Sequence, residues 1–591
     1  MNVTGIDWAI IAAFFIVSLL IGLFTSKKAG TSAKEFFLSG RNMPWWLLGV
    51  SMVATTFSAD TPNLVTDIVR KNGVAGNWAW WAFLLTGMLT VFVYAKLWRR
   101  SEVTTDLEFY ELRYSGKGAA FLRAFRAIYL GVFFNVVIMA TVSLAAIKIG
   151  GVMLGLEPYE TLLIASIVTV IYSSLGGLKG VLLTDFFQFF IAMIGAFAAA
   201  YYILDLPQIG SLNNLLTHEN VAGKLDFLPD FSDPNAYIPL FLMPIAIQWW
   251  ATWYPGAEPG GGGYIAQRML AAKDEKNAIG ATLFFNIAHY AIRPWPWILI
   301  ALASLIVFPN VSDISAAFPN IPADKLGDDL AYSAMLTFLP TGLIGIVLAS
   351  LIAAVMSTLS THLNWGSSYI VNDFYLRFLK PEATDKQLVA VGRISTVGLM
   401  ALSAVLALAL SSALDAFNIL LQIGAGTGLI FILRWFWWRI NAYTEISAMA
   451  ISFVVAIFFE VINPKVNWIL IPENQAYLKL VYSVSITTIG WLLVTFLTKP
   501  EKDEVLLSFY RKVTPAAFGW KKVLDRYPNE RQVIGQLPKE IGLMMIGSAM
   551  VYAALFSTGF FIYGNMLGGS IAGVIALIGG VIIIRSWKNL N

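Results

Sequence analysis

The chain has 591 residues, of which 58% are hydrophobic and only 13% are charged. Soluble proteins carry about 25% charged residues, so this composition indicates an integral membrane protein. Cysteine is absent, which excludes disulfides and thiolate chemistry, and only three histidines are present, which argues against a histidine metal site. The net charge of +4 says little about partners; we expect a lipid bilayer and no nucleic acid.

Fifteen stretches of about 20 apolar residues follow one another along the chain, each long enough to cross a membrane as a helix. They lie near 6–25, 45–68, 76–98, 122–150, 159–176, 180–205, 236–257, 277–308, 331–376, 387–411, 414–437, 442–462, 477–497, 541–563 and 566–585. Most of the 40 Lys and Arg residues, including the group 268–276, fall in alternate loops. The positive-inside rule therefore predicts a multi-pass protein of the cell (plasma or inner) membrane, with the N-terminus outside and the C-terminus cytoplasmic.

The second stretch is interrupted by the polar sequence Phe57-Ser58-Ala59-Asp60-Thr61-Pro62. Its proline removes a backbone donor, so carbonyls freed at membrane depth must face protein, water or an ion. Because a carboxylate is costly in hydrocarbon, Asp60 is expected to face the interior or the outer water. A simple proline kink is the alternative interpretation of this break.

An acidic residue, Asp185, stands at the start of the sixth stretch, after the tight turn at Gly176-Gly177. A carboxylate just inside the membrane is a candidate functional group, and its expected partner is a cation.

The seventh stretch is also interrupted, by Pro255, Gly256, Pro259 and the glycine run 260–263. A phosphate-binding loop is excluded here, because no strand precedes the glycines and no Lys-Ser/Thr follows them. Two interrupted stretches five positions apart predict an inverted-repeat transporter whose halves are stretches 2–6 and 7–11. The binding site of such a protein lies at the midplane, where the breaks meet.

The ninth stretch carries a polar stripe, since Ser357, Ser360, Thr361, Asn364 and Ser368 share one helical face. Hydroxyl and carbonyl oxygens suit an alkali cation that must bind and then leave. The alternative is structural, because Ser and Thr in membrane helices often bond to their own backbone or hold helices together.

Several other side chains are candidates for binding a ligand. Trp80 and Trp81 are typical either of an aromatic belt or of a pocket wall that stacks on sugars or cations. Arg293, inside the eighth stretch, could hold a carboxylate of the ligand or form an ion pair with Glu258 or Asp60. Gln422 offers both a donor and an acceptor in a glycine-rich part of the eleventh stretch.

These patterns divide the chain into six segments. We predict an N-terminal extra helix and basic loop (1–44), a first five-helix repeat (45–205) and a second five-helix repeat (236–438). Two accessory helices (439–497), a charged cytoplasmic segment (498–540) and two C-terminal helices (541–591) complete the prediction.

Four motifs in this order resemble the sodium:solute symporter family of sodium–sugar, sodium–proline and sodium–sialic acid cotransporters. They are Ser58-Ala59-Asp60, GGLKGVLLTDFFQ at 176–188, YIAQRMLAAKDEKNA at 264–278 and AAVMSTLSTHLN at 353–364. The resemblance implies an all-α membrane protein with a LeuT-type 5+5 inverted-repeat core, within about fifteen transmembrane helices. It also implies alternating access and sodium as the coupling ion.

The resemblance further implies one or two sodium sites. A principal site would use the carbonyls of Ala54, Phe57 and Ala354 with the hydroxyls of Ser357 and Thr358. A second site would lie between Asp185 and the hydroxyls of Ser357, Ser360 and Thr361.

The candidate solute-binding residues come from five of the predicted stretches. They are Asp60, Thr61, Asn63, Trp80, Trp81, Gln248, Trp253, Tyr254, Glu258, Tyr290, Arg293 and Gln422. Family sugar carriers have a glutamate near the position of Trp80 and a lysine near that of Tyr290, and only Gln422 is clearly shared. These departures put hexose specificity in doubt.

We therefore expect a sodium-coupled symporter, working as a monomer, that imports a small polar organic solute. A sugar or sugar-derived acid is the first expectation, and an amino acid or small carboxylate follows. A channel or sensor on the same fold is the alternative from another class. An enzyme is not expected, because no nucleophile–base set, metal cluster or cofactor motif is present.

Overall fold

The computed structural model describes residues 3–29, 31–56, 58–254, 256–410, 413–530 and 536–589. Within these ranges the chain is helical, and the only β-type pairings are single bridges, Met43 with Ala272 and Thr252 with Ala425. The continuous apolar runs explain why the chain is helical, because in a membrane only a helix satisfies the backbone hydrogen bonds of a single segment internally.

Eleven helices in the described part of the chain are long and apolar enough to cross a membrane. They are α1 (Gly5–Lys27), α4 (Val74–Ser101), α5 (Gly116–Leu154), α7 (Gly176–Leu204), α10 (Glu275–Val307), α11 (Leu343–Leu379), α12 (Asp385–Ala409), α15 (Ala442–Val466), α16 (Leu478–Leu497), α18 (Leu537–Ile562) and α19 (Met566–Ser586). The protein is thus an all-helical membrane protein, as predicted, while the count of fifteen and the repeat stay predictions.

Eight further helices are short or belong to interrupted stretches. They are α2 (Trp45–Thr56), α3 (Asp60–Asn72), α6 (Pro158–Ile171), α8 (234–251), α9 (Gly263–Ala271), α13 (Ala413–Gly424), α14 (Gly428–Leu433) and α17 (Asp503–Val513). Connecting loops add the short helices Ala33–Leu38, Phe109–Arg113, Leu212–Thr217, Glu219–Ala222, Val311–Ala317, Leu330–Leu336 and Lys521–Leu524.

The interrupted helices lie in the middle of the bundle. Helix α7 packs along α11, and α2 packs against α10, α7 and α11. Helix α3 in turn packs against the second half of α10. The break between α2 and α3 is therefore enclosed by helices, which is where freed backbone groups can be tolerated.

Two breaks also contact each other through the backbone. The amide of Trp253, after α8, donates to the carbonyl of Gly424 at 3.2 Å, and the amide of Gly426 donates to the carbonyl of Ala251 at 2.9 Å. This close approach needs glycine, because a Cβ on Gly424 would stand 2.2 Å from the carbonyl oxygen of Trp253.

We predict that Gly424→Ala lowers the thermal midpoint of the purified protein, because the added methyl group overlaps backbone atoms that cannot rotate away. Overpacking of this kind costs about 1–3 kcal/mol. Gly398→Ala is the matched control, since a Cβ at Gly398 meets nothing within 4 Å. Equal midpoints for the two variants would contradict the close contact.

Candidate functional site

A polar cavity with an empty volume of about 620 Å³ lies beside the α2–α3 break. Its lining comes from α2, α3, α5, α9, α11, α13 and the 252–262 segment. The lining residues are Thr55, Thr56, Ser58, Asp60, Thr61, Leu64, Ile138, Thr141, Val142, Tyr254, Tyr264, Thr358, His362, Phe417 and Leu420. One wall of the cavity is polar and the other is apolar, a combination that is usual for small-molecule sites.

Three of the predicted solute-binding residues line this cavity: Asp60, Thr61 and Tyr254. Tyr254 stacks on Phe83 with ring centroids 5.7 Å apart, and its edge meets Phe417 at 5.0 Å. These aromatic contacts fix the phenol ring at the cavity wall.

The predicted tryptophans lie outside the cavity lining and have partners of their own. The indole of Trp80 donates to Asn77 Oδ1 at 2.8 Å and stacks on the ring of Tyr290. Trp81 is fully buried against Trp78 and Phe556. Both tryptophans therefore have a packing role in this conformation.

Four further candidates, Gln248, Gln422, Trp253 and Asn63, also lie outside the cavity lining. Gln248 donates to the carbonyl of Ala79 at 2.6 Å, and Gln422 donates to the hydroxyl of Ser483 at 2.5 Å. Trp253 packs its edge against Phe134, and Asn63 is buried without a hydrogen-bond partner for its amide.

Arg293 contacts the end of α2. Its guanidinium donates to the carbonyls of Val53 at 2.9 Å and Thr56 at 3.2 Å, and it lies 5.0 Å from the ring centroid of Trp297. A cation at the C-terminus of a helix satisfies carbonyls that have no intrahelical donor and interacts favourably with the helix dipole. The break in the second stretch thus carries its own positive charge, which also interacts electrostatically with Asp60, one of the two ion-pair partners that the sequence suggested.

The groups of the predicted principal sodium site lie where α2 and α11 meet. Thr358 Oγ1 donates to the carbonyl of Thr55 at 2.8 Å, and Ala54 and Ala354 are buried nearby on the two helices. The carbonyl of Phe57 lies outside the described residues. The hydroxyl of Thr358 therefore contacts α2 and also lines the cavity.

The predicted second sodium site is a compact buried cluster. The carboxylate of Asp185 accepts hydrogen bonds from Ser51 and, at 2.6 Å, from Ser357. Ser360 donates to the carbonyl of Ser357 at 3.0 Å, and the hydroxyls of Thr361 and Thr55 are 2.9 Å apart.

Arg268 of α9 reaches into this cluster and supplies its positive charge. Its guanidinium is fully buried, donates to Thr361 at 2.7 Å and to Ser51 at 3.2 Å, and lies 3.8 Å from Asp185. The prediction that Arg268 belongs to a basic loop was therefore wrong. Its position inside the apolar run IAQRMLAA was the signal in the sequence that it is buried.

His362 is a second residue that the sequence left without a role. Asn135 Nδ2 donates to the carbonyls of His362 at 2.8 Å and Gly131 at 3.3 Å, so Asn135 Oδ1 is an acceptor. The Nδ1 atom of His362, 2.6 Å from this oxygen, must then be the protonated nitrogen. A neutral His362 therefore keeps Nε2 as an acceptor on the cavity wall.

The rest of the polar stripe makes structural contacts, one between α9 and α11 and one within α11. Asn364 Oδ1 accepts from Gln267 at 3.0 Å, and Ser368 donates to the carbonyl of Trp365 at 2.7 Å. Neither residue lines the cavity.

Comparison with known proteins gives consistent matches. Residues 36–452 match the profile of the sodium:solute symporter family. The sodium/glucose cotransporter of Vibrio parahaemolyticus is 26% identical over 478 residues, covering 77% of this chain and 85% of that protein. The sodium/mannose cotransporter of Bos taurus is 26% identical over 426 residues, covering 68% and 69% of the two chains.

A solved structure shares the fold. It is a substrate-bound, outward-open Na⁺-coupled sialic acid symporter, with a TM-score of 0.65 and 20% identity, and the match covers 85% of this chain and 100% of that one.

Proposed function

The chain belongs to the sodium:solute symporter family, and on this premise we propose that it couples inward sodium movement to uptake of a small polar organic solute. The observation that carries the proposal is the position of Thr358, whose hydroxyl contacts the broken end of α2 and lines the polar cavity. One side chain thus joins the proposed ion site to the proposed solute site.

We propose that sodium binds first, between the end of α2 and Ser357 and Thr358 of α11. A cation there bridges two helices that both form the cavity wall, so ion binding completes the solute site by holding them together. Of the two sodium sites predicted from the resemblance, only the principal one is proposed to hold an ion in the conformation described, because Arg268 already neutralises Asp185. A second ion at Asp185 would require the guanidinium to withdraw.

The solute is proposed to be a sugar or a related polyol. The cavity offers acceptors for hydroxyl groups, from Asp60, His362 and the threonines, and tyrosine rings for the apolar face of a sugar. A sugar-derived acid is less well supported, because the guanidinium of Arg293 donates to helix carbonyls and does not line the cavity. The named relatives carry glucose and mannose.

An amino acid is the second candidate, and Asp60 is the observation that favours it, since its carboxylate could accept hydrogen bonds from an ammonium group. A channel or sensor on this fold is the alternative from another class. The cotransporter relatives favour a transporter over an enzyme, a channel or a sensor.

For topology we propose the N-terminus outside, the C-terminus in the cytoplasm and a monomer as the transporting unit. The two proposed five-helix repeats, 45–205 and 236–438, each begin with an interrupted helix, α2–α3 and α8–α9.

Uptake into proteoliposomes tests the proposal. An inward sodium gradient is expected to drive accumulation of a radiolabelled sugar, polyol or amino acid above its outside concentration, and collapse of the gradient to release it. A channel would only equilibrate the solute, so accumulation distinguishes the two classes. Accumulation that is independent of sodium would reject the coupling.

His362 provides a prediction about the solute. We predict that His362→Leu raises the KM for a hydroxylated solute, because one buried hydrogen bond, worth about 1–3 kcal/mol, is lost. That corresponds to about 5- to 150-fold in KM. The half-saturating sodium concentration is expected to stay within about twofold, since the side chain of His362 is not a proposed ion ligand and bonds Asn135 of α5.

His362→Gln is the conservative comparison, because its Oε1 atom also accepts a hydrogen bond. It is expected to fall between the wild type and the leucine variant in steady-state uptake. A KM for His362→Leu equal to that of the wild type would contradict a solute contact.

A further inference from the structure

Glu258 lies in the non-helical segment between α8 and α9 and has no role in the cavity. Its side chain is 3% exposed, and among the described residues no side chain donates to its carboxylate, which faces only the backbone amides of Gly256 and of Glu258 itself. A buried carboxylate without a counter-ion is strongly destabilising, so such a group indicates a missing positive charge.

A second carboxyl group, Asp106, faces the same glycines. Asp106 belongs to the loop between α4 and α5, is partly exposed, and accepts hydrogen bonds from the hydroxyl of Tyr369 and, at 2.9 Å, from the amide of Gly263. A Cβ on Gly262 would stand 3.4 Å from Glu258 Cγ and 3.7 Å from Asp106 Oδ2. The two side chains therefore border one small space.

Glycine keeps that space open. A Cβ on Gly263 would stand 2.7 Å from Glu258 Oε1, and Gly260, Gly261 and Gly263 all have positive φ. A larger residue at 263 would push the carboxylate away from Asp106.

The nearby guanidinium groups are already engaged. Arg126 and Arg434 lie 3.9 and 3.6 Å from Glu445, and neither forms an ion pair with Asp106 or Glu258 in the described part of the chain. Arg434 also stacks 4.5 Å from the ring centroid of Phe109. Asp373, which also faces Asp106, is paired with Arg123 at 2.7 Å.

The charge balance points to a single positive charge. Arg113 also interacts with Glu445 and with Glu501. The four carboxyl groups of this region, Asp106, Glu258, Glu445 and Glu501, therefore face three guanidinium groups, Arg113, Arg126 and Arg434, which leaves one negative charge uncompensated. Burial raises the pKa of the Asp106 carboxyl above its ordinary value, while the hydrogen bonds from Tyr369 and Gly263 oppose that shift.

Tyr264 also faces Glu258 and lies between this space and the cavity. Its hydroxyl lies 3.1 Å from that of Thr56, within hydrogen-bond distance.

We propose that Glu258 and Asp106, with the hydroxyl of Tyr369, form a further binding site for a monovalent cation, occupied by sodium. Carboxylate and hydroxyl oxygens are ligands that hard cations prefer. One sodium ion supplies the single positive charge that is missing and can be shared by oxygens of both carboxyl groups, whereas a proton is covalently bound to one of them. The partly exposed Asp106 gives the ion a path from the α4–α5 loop. The proposal rests on the proposed function only for the ion's role in transport.

Equilibrium binding of ²²Na⁺ to the full-length protein in nanodiscs, without solute, tests the site. The wild type is expected to bind two ions, Glu258→Gln and Asp106→Asn one each, and Glu460→Gln two. Glu460 is the matched control because its carboxyl is paired at the surface with Lys479 at 3.2 Å. Thr358→Ala is expected to lose the other ion, so the two sites are counted separately.

A thermal measurement separates loss of the site from misfolding. In sodium-free buffer, Glu258→Gln is expected to melt at or above the wild-type temperature, since it removes an uncompensated charge. If Glu258→Gln and Asp106→Asn each bind two ²²Na⁺ ions, as the wild type is expected to do, the proposal is overturned. If the thermal midpoint of Thr358→Ala depends on pH but not on sodium, a proton occupies the site instead of sodium, and this result would also overturn the proposal. Unchanged binding in Thr358→Ala alone would reject the principal site and leave this one standing.

Discussion

Replacing Thr358 by alanine is expected to raise the sodium concentration for half-maximal uptake by about tenfold or more, equivalent to about 1.4 kcal/mol of ion binding or greater. The hydroxyl is a proposed ion ligand and also donates to the carbonyl of Thr55 at 2.8 Å, so its loss weakens both the ion site and the contact between α2 and α11. Solute KM should rise in parallel at low sodium and recover at saturating sodium, because the ion and the solute are coupled.

The control for Thr358→Ala is Ser350→Ala, on the same helix. Ser350 is buried as well, but its hydroxyl returns to the carbonyl of Val347 at 2.8 Å and touches no part of α2. Thr358→Ser keeps the hydroxyl and is expected to behave like the wild type. The sodium dependence of initial uptake rates in proteoliposomes measures all three. A sodium dependence of Thr358→Ala that matches Ser350→Ala would reject the principal site as proposed.

The sequence predicted the helical class and the interruptions well, for a physical reason. Long apolar runs cross a membrane as α-helices, and proline or glycine within such a run interrupts the backbone hydrogen bonds locally. Residues 58 and 59 accordingly stand between α2 and α3, with Pro62 in the first turn of α3, where a missing backbone donor is tolerated. The described residues of 252–262 separate α8 from α9. Both signals are local in the chain.

Partners of charged and polar groups could not be predicted in the same way. Arg293 bonds a carbonyl 240 positions earlier, and Arg268 bonds Ser51 across 217 positions. Such pairs depend on how helices pack, which periodicity and spacing do not encode. For the same reason Gln422 and Trp80, both chosen for their chemistry, bond to neighbours outside the cavity, whereas His362 lines it.

The second large effect concerns the ion pair of Asp185 and Arg268. Asp185→Asn alone is expected to destabilise the protein by about 3–5 kcal/mol, because it leaves a fully buried guanidinium without a counter-ion. Arg268→Gln alone should cost a similar amount by isolating the carboxylate. Both side chains are 0% exposed and lie 3.8 Å apart, so solvent cannot screen either charge.

The double variant Asp185→Asn/Arg268→Gln decides between a structural pair and an ion site. If Arg268 is the permanent cation of Asp185, the double variant removes both charges together, and its thermal midpoint should return most of the way to the wild type. The sodium dependence of uptake should then keep its wild-type steepness. If sodium replaces the guanidinium during the cycle, Arg268→Gln should instead be stabilised by sodium far more than the wild type, and the double variant should lose that response. Unfolding curves with and without sodium, measured on all four proteins, therefore show which cation Asp185 holds.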